Sequence, residues 1–305
     1  MIIDLRHIGA GGPDLSSVCS HYQEWTHQDV FVPAIENAFD TAEVLACGHG
    51  GCATSGANTR IIVVNQSGVN GWVVGDFVRH SVDIFLTYGL LDFVDSANAA
   101  LTQQLLDQTL HESKPGIIDW LSALDKRGGQ PCALGMPRPA RVDWTQFGIP
   151  SEQGFLIQMG GDSAVLTFIF LHELAHLLTG GSCHENPSNV LKMELSCDQQ
   201  ARQWFLRGPV APTSVIAWMV TVDDYQSLEG PVLNQEQGYG GPNQSDVRMM
   251  FPASDWKLRS DLFLVDWKAH CLDSPQEGEC RSFSVQFQMG KDIAAVPKPS
   301  ACIPH

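Results

Sequence analysis

The residues whose types and spacing most directly suggest chemistry are His172, Glu173 and His176, which form a His-Glu-x-x-His motif. Two histidines four residues apart on a helix lie one turn above each other, so both imidazoles can bind a single metal ion. Glu173 follows about 100° further round the helix, where it can reach a metal-bound water without being a ligand. The spacing is that of a zinc hydrolase in which the glutamate is the general base.

The stretch that must position this motif is strongly apolar, because residues 164–171 contain almost no polar side chain. We expect a buried helix that begins near Ala164, with Asp162 or Ser163 as its N-cap, and ends at the glycine pair 180–181. Histidine and glutamate are costly to bury without polar partners, and a metal ion supplies one. The alternative is that both histidines are hydrogen-bonded core residues and that the glutamate of the motif lies at the surface.

A catalytic zinc ion needs a third protein ligand and keeps one position open for water. The next segment predicts a helix that starts at Pro187 and stops before Gly208, with Glu194 and Asp198 on one face. Glu194 can complete the metal site, with an exposed helix face as the alternative. Asp198 can accept the ring N–H of a ligand histidine and fix its tautomer, and either histidine is possible. His184, in the intervening loop, is a competing ligand.

The motif, followed by Glu194-x-x-x-Asp198-x-x-Ala201, resembles the gluzincin metallopeptidases. Within that group these residues are most similar to the Lit-type phage-exclusion peptidases of bacteria, and more distantly to the CAAX-prenyl-protease and heat-shock-protease type. The resemblance covers residues 160–208. It implies a zinc endopeptidase that binds one Zn²⁺ per chain through His172, His176 and Glu194, with Glu173 as the base. A Lit-type relationship would further imply a narrow protein target and a defence or toxin-like role.

The resemblance also implies a group that stabilises the transition state, and several residues are candidates. The segment around Phe251 is similar to the His-Pro segment of the CAAX type, but phenylalanine stands where that family has histidine. Arg259 follows in the same segment. Tyr239 lies in a glycine-rich loop from which an oxyanion donor can come, and Tyr225 and His270 are further candidates.

Composition and charge exclude some classes of partner. The 305 residues carry a formal net charge of −16, which argues against nucleic acid and against an anionic membrane surface. Residues 1–7 lack the pattern of a signal peptide, and no uninterrupted apolar run reaches the roughly 18 residues of a membrane span. We expect a soluble cytoplasmic protein whose partner is a protein or peptide substrate, and we leave its oligomeric state open.

The cysteines also bear on localisation. Nine is an odd count without regular spacing, so free thiols in a reducing compartment are expected. Cys47 and Cys52 flank a glycine-rich loop, for which a second metal site is the alternative interpretation.

The expected fold class is α+β and mainly helical, a zincin-like metallopeptidase domain with a small sheet. A loop of residues 128–150 suggests a border between a mixed α/β subdomain, 1–150, and a zincin-like helical subdomain, 151–305, although one continuous domain is also consistent. Strands are predicted at 60–65, 71–78, 154–159 and 282–288, and helices at 31–47, 82–110, 117–126, 213–223 and 253–271. Strand 154–159 or strand 60–65 could hold an extended peptide substrate along its edge, as the resemblance implies.

The sequence allows three alternatives to a peptidase. The zinc could be structural, or the domain could be a binding module without activity; Glu173 argues against both, since a structural site needs no base and closes with a fourth ligand. A metallo-amidase acting on a non-peptide substrate is the other alternative, and the sequence does not separate it from a peptidase.

Overall fold

The computed structural model describes residues 2–6, 28–48, 58–64, 71–76, 81–110, 144–178, 187–208, 211–229, 253–274, 278–281 and 283–295. The strands are β1 (Ile2–Arg6), β2 (Asn58–Val64), β3 (Gly71–Asp76) and β4 (Ser81–Thr87). The helices are α1 (Gln28–Cys47), α2 (Tyr88–Leu110), α3 (Ser151–Leu178), α4 (Pro187–Phe205), α5 (Pro212–Glu229), α6 (Ala253–Asp273), α7 (Gly278–Arg281) and α8 (Phe283–Ala294), with a short 3₁₀ helix at Trp144–Phe147. The predicted class, mainly helical with a small sheet, is confirmed.

The four strands form one sheet in the order β1-β2-β4-β3. The first three of these are parallel, and β3 is antiparallel to β4 at one edge. Ile61, Ile62 and Val63 are consecutive and all buried, which is the pattern of a central strand covered on both faces. The strands predicted near 60–65 and 71–78 are therefore confirmed as β2 and β3.

Helix α3 is the centre of the helical part, and α1, α2, α4 and α5 all pack against it. Its residues are buried almost without interruption from Gly161 to His176, as expected for a helix that is apolar nearly all round. Phe168 makes edge-to-face contacts with Phe205 of α4 and Phe263 of α6, with ring centroids 5.7 and 5.5 Å apart. These aromatic contacts fix α3 between its neighbours one turn before the motif.

The prediction of a strand at residues 154–159 is wrong, because α3 begins at Ser151 and this segment forms its first turns. Asp162, predicted as an N-cap, is consequently a buried residue inside the helix. Two glycines in the first half of this helix are places of close packing. A Cβ at Gly154 would overlap the ring of Trp144, and one at Gly161 would overlap the side chain of Asn98.

Two further predictions are wrong. Residues 82–110 are not helical throughout, since the β-branched start of this segment forms β4 and only the remainder forms α2. The described part of the strand predicted at 282–288, residues 283–288, belongs to helix α8. Met289 and Ile293, four residues apart in the same helix, are both buried, as on one helix face.

The predicted helices near 31–47, 213–223 and 253–271 are confirmed as α1, α5 and α6. The helix predicted at 117–126 lies outside the described residues. By length and composition, helix α3 could cross a membrane, although 61% of its apolar 18-residue stretch is buried inside the protein. A core helix passes the same test, so this finding assigns the chain no membrane role. The division into subdomains 1–150 and 151–305 stays a prediction.

The cysteines depart from the expectation of free thiols. Cys271 and Cys280 form a disulfide that joins α6 to α7, with Cα atoms 5.2 Å apart, and Cys47 is also disulfide-bonded. Because Cys47 is disulfide-bonded, it has no thiolate to bind a metal ion. It is therefore not a ligand of the second metal site that was the alternative for the Cys47–Cys52 loop. Disulfides persist in oxidising compartments, so the thiol argument for a cytoplasmic location no longer applies and that location stays a prediction.

Candidate metal centre

The structure brings the three predicted ligands together between α3 and α4. Glu194 Oε2 lies 3.0 Å from His172 Nε2 and 3.3 Å from His176 Nε2, and the two Nε2 atoms are 3.0 Å apart. All three side chains are buried, and one donor atom from each lies within 4.8 Å of the others. This group can hold a metal ion.

The two helices meet in antiparallel fashion, in successive layers. The first layer is the contact between Phe168 and Phe205, the second pairs His172 with Asp198, and the third sets His176 against Cys197. Helix α4 begins at Pro187 as predicted, since proline is favoured at the first helical position. The aromatic contact therefore packs the two helices together one turn away from the motif.

Hydrogen bonding behind His172 determines which of its nitrogens faces the metal position. Its Nδ1 lies 2.8 Å from Asp198 Oδ1, and an ionised carboxylate can only accept, so Nδ1 carries the hydrogen. In the neutral imidazole Nε2 then presents a lone pair towards Glu194. The Asp198 partner predicted from sequence thus belongs to His172 and not to His176.

The meeting of lone pairs is the strongest sign that the site takes a cation. Glu194 Oε2 is buried and lies within ion-pair distance of both rings, yet no described group makes a hydrogen bond of proper geometry to it. The lone pairs of His172 Nε2 and Glu194 Oε2 repel one another unless a proton or a metal ion lies between them. Coordination to one metal would satisfy all three atoms at once.

Asp198 is anchored in turn by Arg259 of α6, whose guanidinium donates to both carboxylate oxygens, with Nη2 2.6 Å from Oδ1. Both side chains are buried. Burial acts to raise the pKa of Asp198, but Arg259 and His172 hold it at about 2. Arg259, considered from sequence as a transition-state donor, is instead bound to the carboxylate behind His172, which favours an anchoring role.

His176 has a different neighbour. The Cys197 Sγ atom lies 3.3 Å from His176 Nδ1, and this thiol is buried and free. Sequence reasoning missed this residue, although it follows Glu194 by three positions and therefore lies on the same helix face. Its sulfur packs behind the second imidazole as Asp198 does behind the first.

Glu173 is buried beside these groups, so the alternative that placed it at the surface is wrong. Burial raises the pKa of Glu173, while positive charge on His172, His176 and Arg259 acts to lower it. A buried carboxylate whose pKa is raised is suited to general-base work, because it holds a proton more strongly than an exposed glutamate.

Without a metal ion the cluster would hold protons. Burial acts to lower the pKa of His172, but its contacts with Asp198 and Glu194 raise it to about 9. Burial acts to raise the pKa of Glu194, and its contacts with the two imidazoles hold it well below the usual range. A metal ion must therefore displace a proton from His172, as ligand histidines require.

Several predicted residues cannot be placed at the site. Tyr239 and His184 lie outside the described residues, and of Tyr225 only its place in α5 is described. His270 lies in the last turn of α6, about 16 Å along the helix from Arg259. Their roles stay predictions.

Comparison of the chain with protein-family models, with characterised proteins and with solved structures gives no match. The likeness to the gluzincins therefore depends on the motif residues and their geometry.

Proposed function

We propose that this protein is a zinc-dependent hydrolase, and specifically an endopeptidase of the gluzincin type. The observation that carries the proposal is the buried convergence of His172 Nε2, His176 Nε2 and Glu194 Oε2 beside a buried Glu173. A structural site has no use for an adjacent buried carboxylate that binds no metal. A hydrolase needs one to move a proton.

The donor set fits zinc. Two imidazoles and one carboxylate are the protein ligands of many catalytic zinc sites, and they leave a position for water. When bound, zinc supplies a Lewis acid that lowers the pKa of a coordinated water towards about 7. Two histidines and a carboxylate also bind Fe(II), so the identity of the metal is itself part of the proposal.

The chain's own residues have separate tasks in this mechanism. Asp198 accepts the hydrogen of His172 Nδ1 and so presents Nε2 as a ligand. Glu173 takes a proton from the attacking water and delivers it to the leaving amine. Its buried surroundings, which raise its pKa, help it to retain the proton between the two steps.

The sheet supports binding of an extended peptide, but not on the strands predicted from sequence. Residues 154–159 are helical, and β2 is central, with β1 and β4 on its two sides. Strand β3 lies at the edge of the sheet and packs against α3. A peptide added to its outer edge would be held by main-chain hydrogen bonds close to the motif helix.

The test pairs metal analysis with proteolysis. Wild-type protein should contain one zinc per chain, and a proteome treated with it should yield new peptide termini by mass spectrometry. Glu173→Gln keeps size and hydrogen-bonding capacity but removes the base, so it should retain the metal and lose at least about a hundredfold in cleavage rate. Undiminished cleavage by this variant would exclude Glu173 as the base.

The sequence-based alternatives lead to different results in the same experiment. A structural zinc would acquire a fourth protein ligand, for which Cys183 and His184 are the candidates from sequence; both lie outside the described residues. A sulfur ligand in the X-ray absorption spectrum, together with no cleavage, would favour a binding module. Zinc with an open position and no new peptide termini would favour an amidase acting on a non-peptide substrate.

A further inference from the structure

Helix α6 carries an apolar stripe on its outer face. Leu258, Val265 and Leu272 are 42%, 62% and 70% exposed, although each is a large aliphatic residue. Leu262, half-buried, and Ala269, exposed, lie between them. The spacing of these five residues alternates four and three, which is the seam of a helix that pairs with another helix. We call this set the α6 stripe.

The stripe is distinct from the face of α6 that serves the metal centre. Arg259, Phe263 and Trp267 are buried on the inner face, where Arg259 binds Asp198. The outer face of such a helix would ordinarily be polar. A contiguous exposed apolar stripe marks an interaction surface more often than an ordinary solvent face.

Charges beside the stripe indicate what occupies it. In an antiparallel pair of α6 helices, a two-fold axis between residues 263 and 264 sets Leu262 against Val265 of a second copy and Leu258 against its Ala269. In the same register Asp261 lies next to Lys268 of the second copy, and both side chains are well exposed. A parallel pair would bring Asp261 towards Asp266 of the other copy, a carboxylate that Arg202 already binds, so that arrangement gains no attraction from this pair.

We propose that the α6 stripe is a homodimer interface in which this helix packs antiparallel against the same helix of a second copy. Such an interface is self-complementary: every contact occurs twice, as two-fold symmetry requires. Two helices of this length bury less than the roughly 1,200 Å² of a tight interface, so the dimer should dissociate in the micromolar range. Each metal centre would then have its anchoring helix braced by the other subunit.

The test measures the mass of the full chain by sedimentation velocity from about 1 to about 200 μM. Wild type should change from monomer to dimer within this range. Val265→Asp places a charge at the centre of the stripe and should leave a monomer throughout. Val285→Asp is the matched control, because Val285 is 61% exposed on α8, outside the stripe, and this variant should dimerise like wild type.

A charge exchange tests the register. Lys268→Glu should weaken the dimer about twofold to fivefold for each of its two symmetric contacts, and adding Asp261→Lys should restore it. A monomer at every concentration would overturn the proposal. Slow hydrogen exchange of α6 in that monomer would indicate that another segment of the same chain covers the stripe. A dimer that tolerates Val265→Asp would overturn it as well.

Discussion

The two imidazoles of the metal centre lie one turn apart on α3, but they are held in different ways. His172 hydrogen-bonds to a buried carboxylate, which a buried arginine from a third helix binds through both oxygens. His176 instead contacts the sulfur of a buried cysteine. The first arrangement is a series of charged hydrogen bonds, His172–Asp198–Arg259, that joins α3, α4 and α6, and we call it the charged chain. The second is a weak contact between α3 and α4.

This difference affects how firmly the two ligands are held. Charge-assisted hydrogen bonds are short and strongly directional, so His172 is fixed in one tautomer and one orientation. A sulfur contact is weaker and more adaptable. We infer that the hydrogen bond to Asp198 fixes the imidazole of His172 more firmly than the sulfur contact fixes that of His176.

The largest effect should follow the loss of the charged chain. Asp198→Ala leaves the Arg259 guanidinium buried without its carboxylate, and breaking a buried ion pair typically costs about 3–5 kcal/mol. Metal affinity should fall by about a hundredfold, because His172 loses the partner that orients it. Urea unfolding and a metal titration measure the two effects.

A matched variant at the surface shows how much of the stability loss in Asp198→Ala comes from burial and how much from losing a negative charge. Asp292→Ala, on α8 and outside the α6 stripe, removes the exposed hydrogen-bond partner of Gln288, 2.7 Å away, and should change stability by less than about 0.5 kcal/mol. If the two variants lose similar stability, the buried chain does not have the importance assigned to it.

A smaller effect should appear on changing pH. The pKa of about 9 for His172 is raised above the ordinary histidine value, so metal-free protein holds this proton at neutral pH and must release it on binding metal. Apparent affinity should therefore fall about tenfold for each unit that the pH drops below 9. Competition with a chromophoric chelator between pH 6 and 9 measures this slope, and a flat profile would mean that His172 is already neutral.

How much of this could be seen in the sequence depends on the range of the interactions. The ligands were predictable because His172, His176 and Glu194 lie in helices, whose fixed periodicity converts spacing into position. The strand predicted at 154–159 failed because a short apolar run has no period that separates strand from helix. The Arg259 contact joins residues 61 positions apart, and no local pattern announces it. Disulfide pairing is likewise not readable from cysteine spacing.

The smallest effect should come from the cysteine. Cys197→Ser keeps a polar atom behind His176 and should alter metal affinity by less than about tenfold, well below the loss in Asp198→Ala. The same chelator competition provides the comparison. An equal loss in the two variants would contradict the proposed difference between the ligands.

The most direct test of the account is the metal content of purified wild type and of Glu194→Ala, measured by elemental mass spectrometry after dialysis against trace zinc. Since Glu194 Oε2 lies against both imidazoles, we predict one zinc per wild-type chain and a large loss of zinc in the variant. Wild type without metal, or a variant that retains it fully, would contradict a centre built from His172, His176 and Glu194.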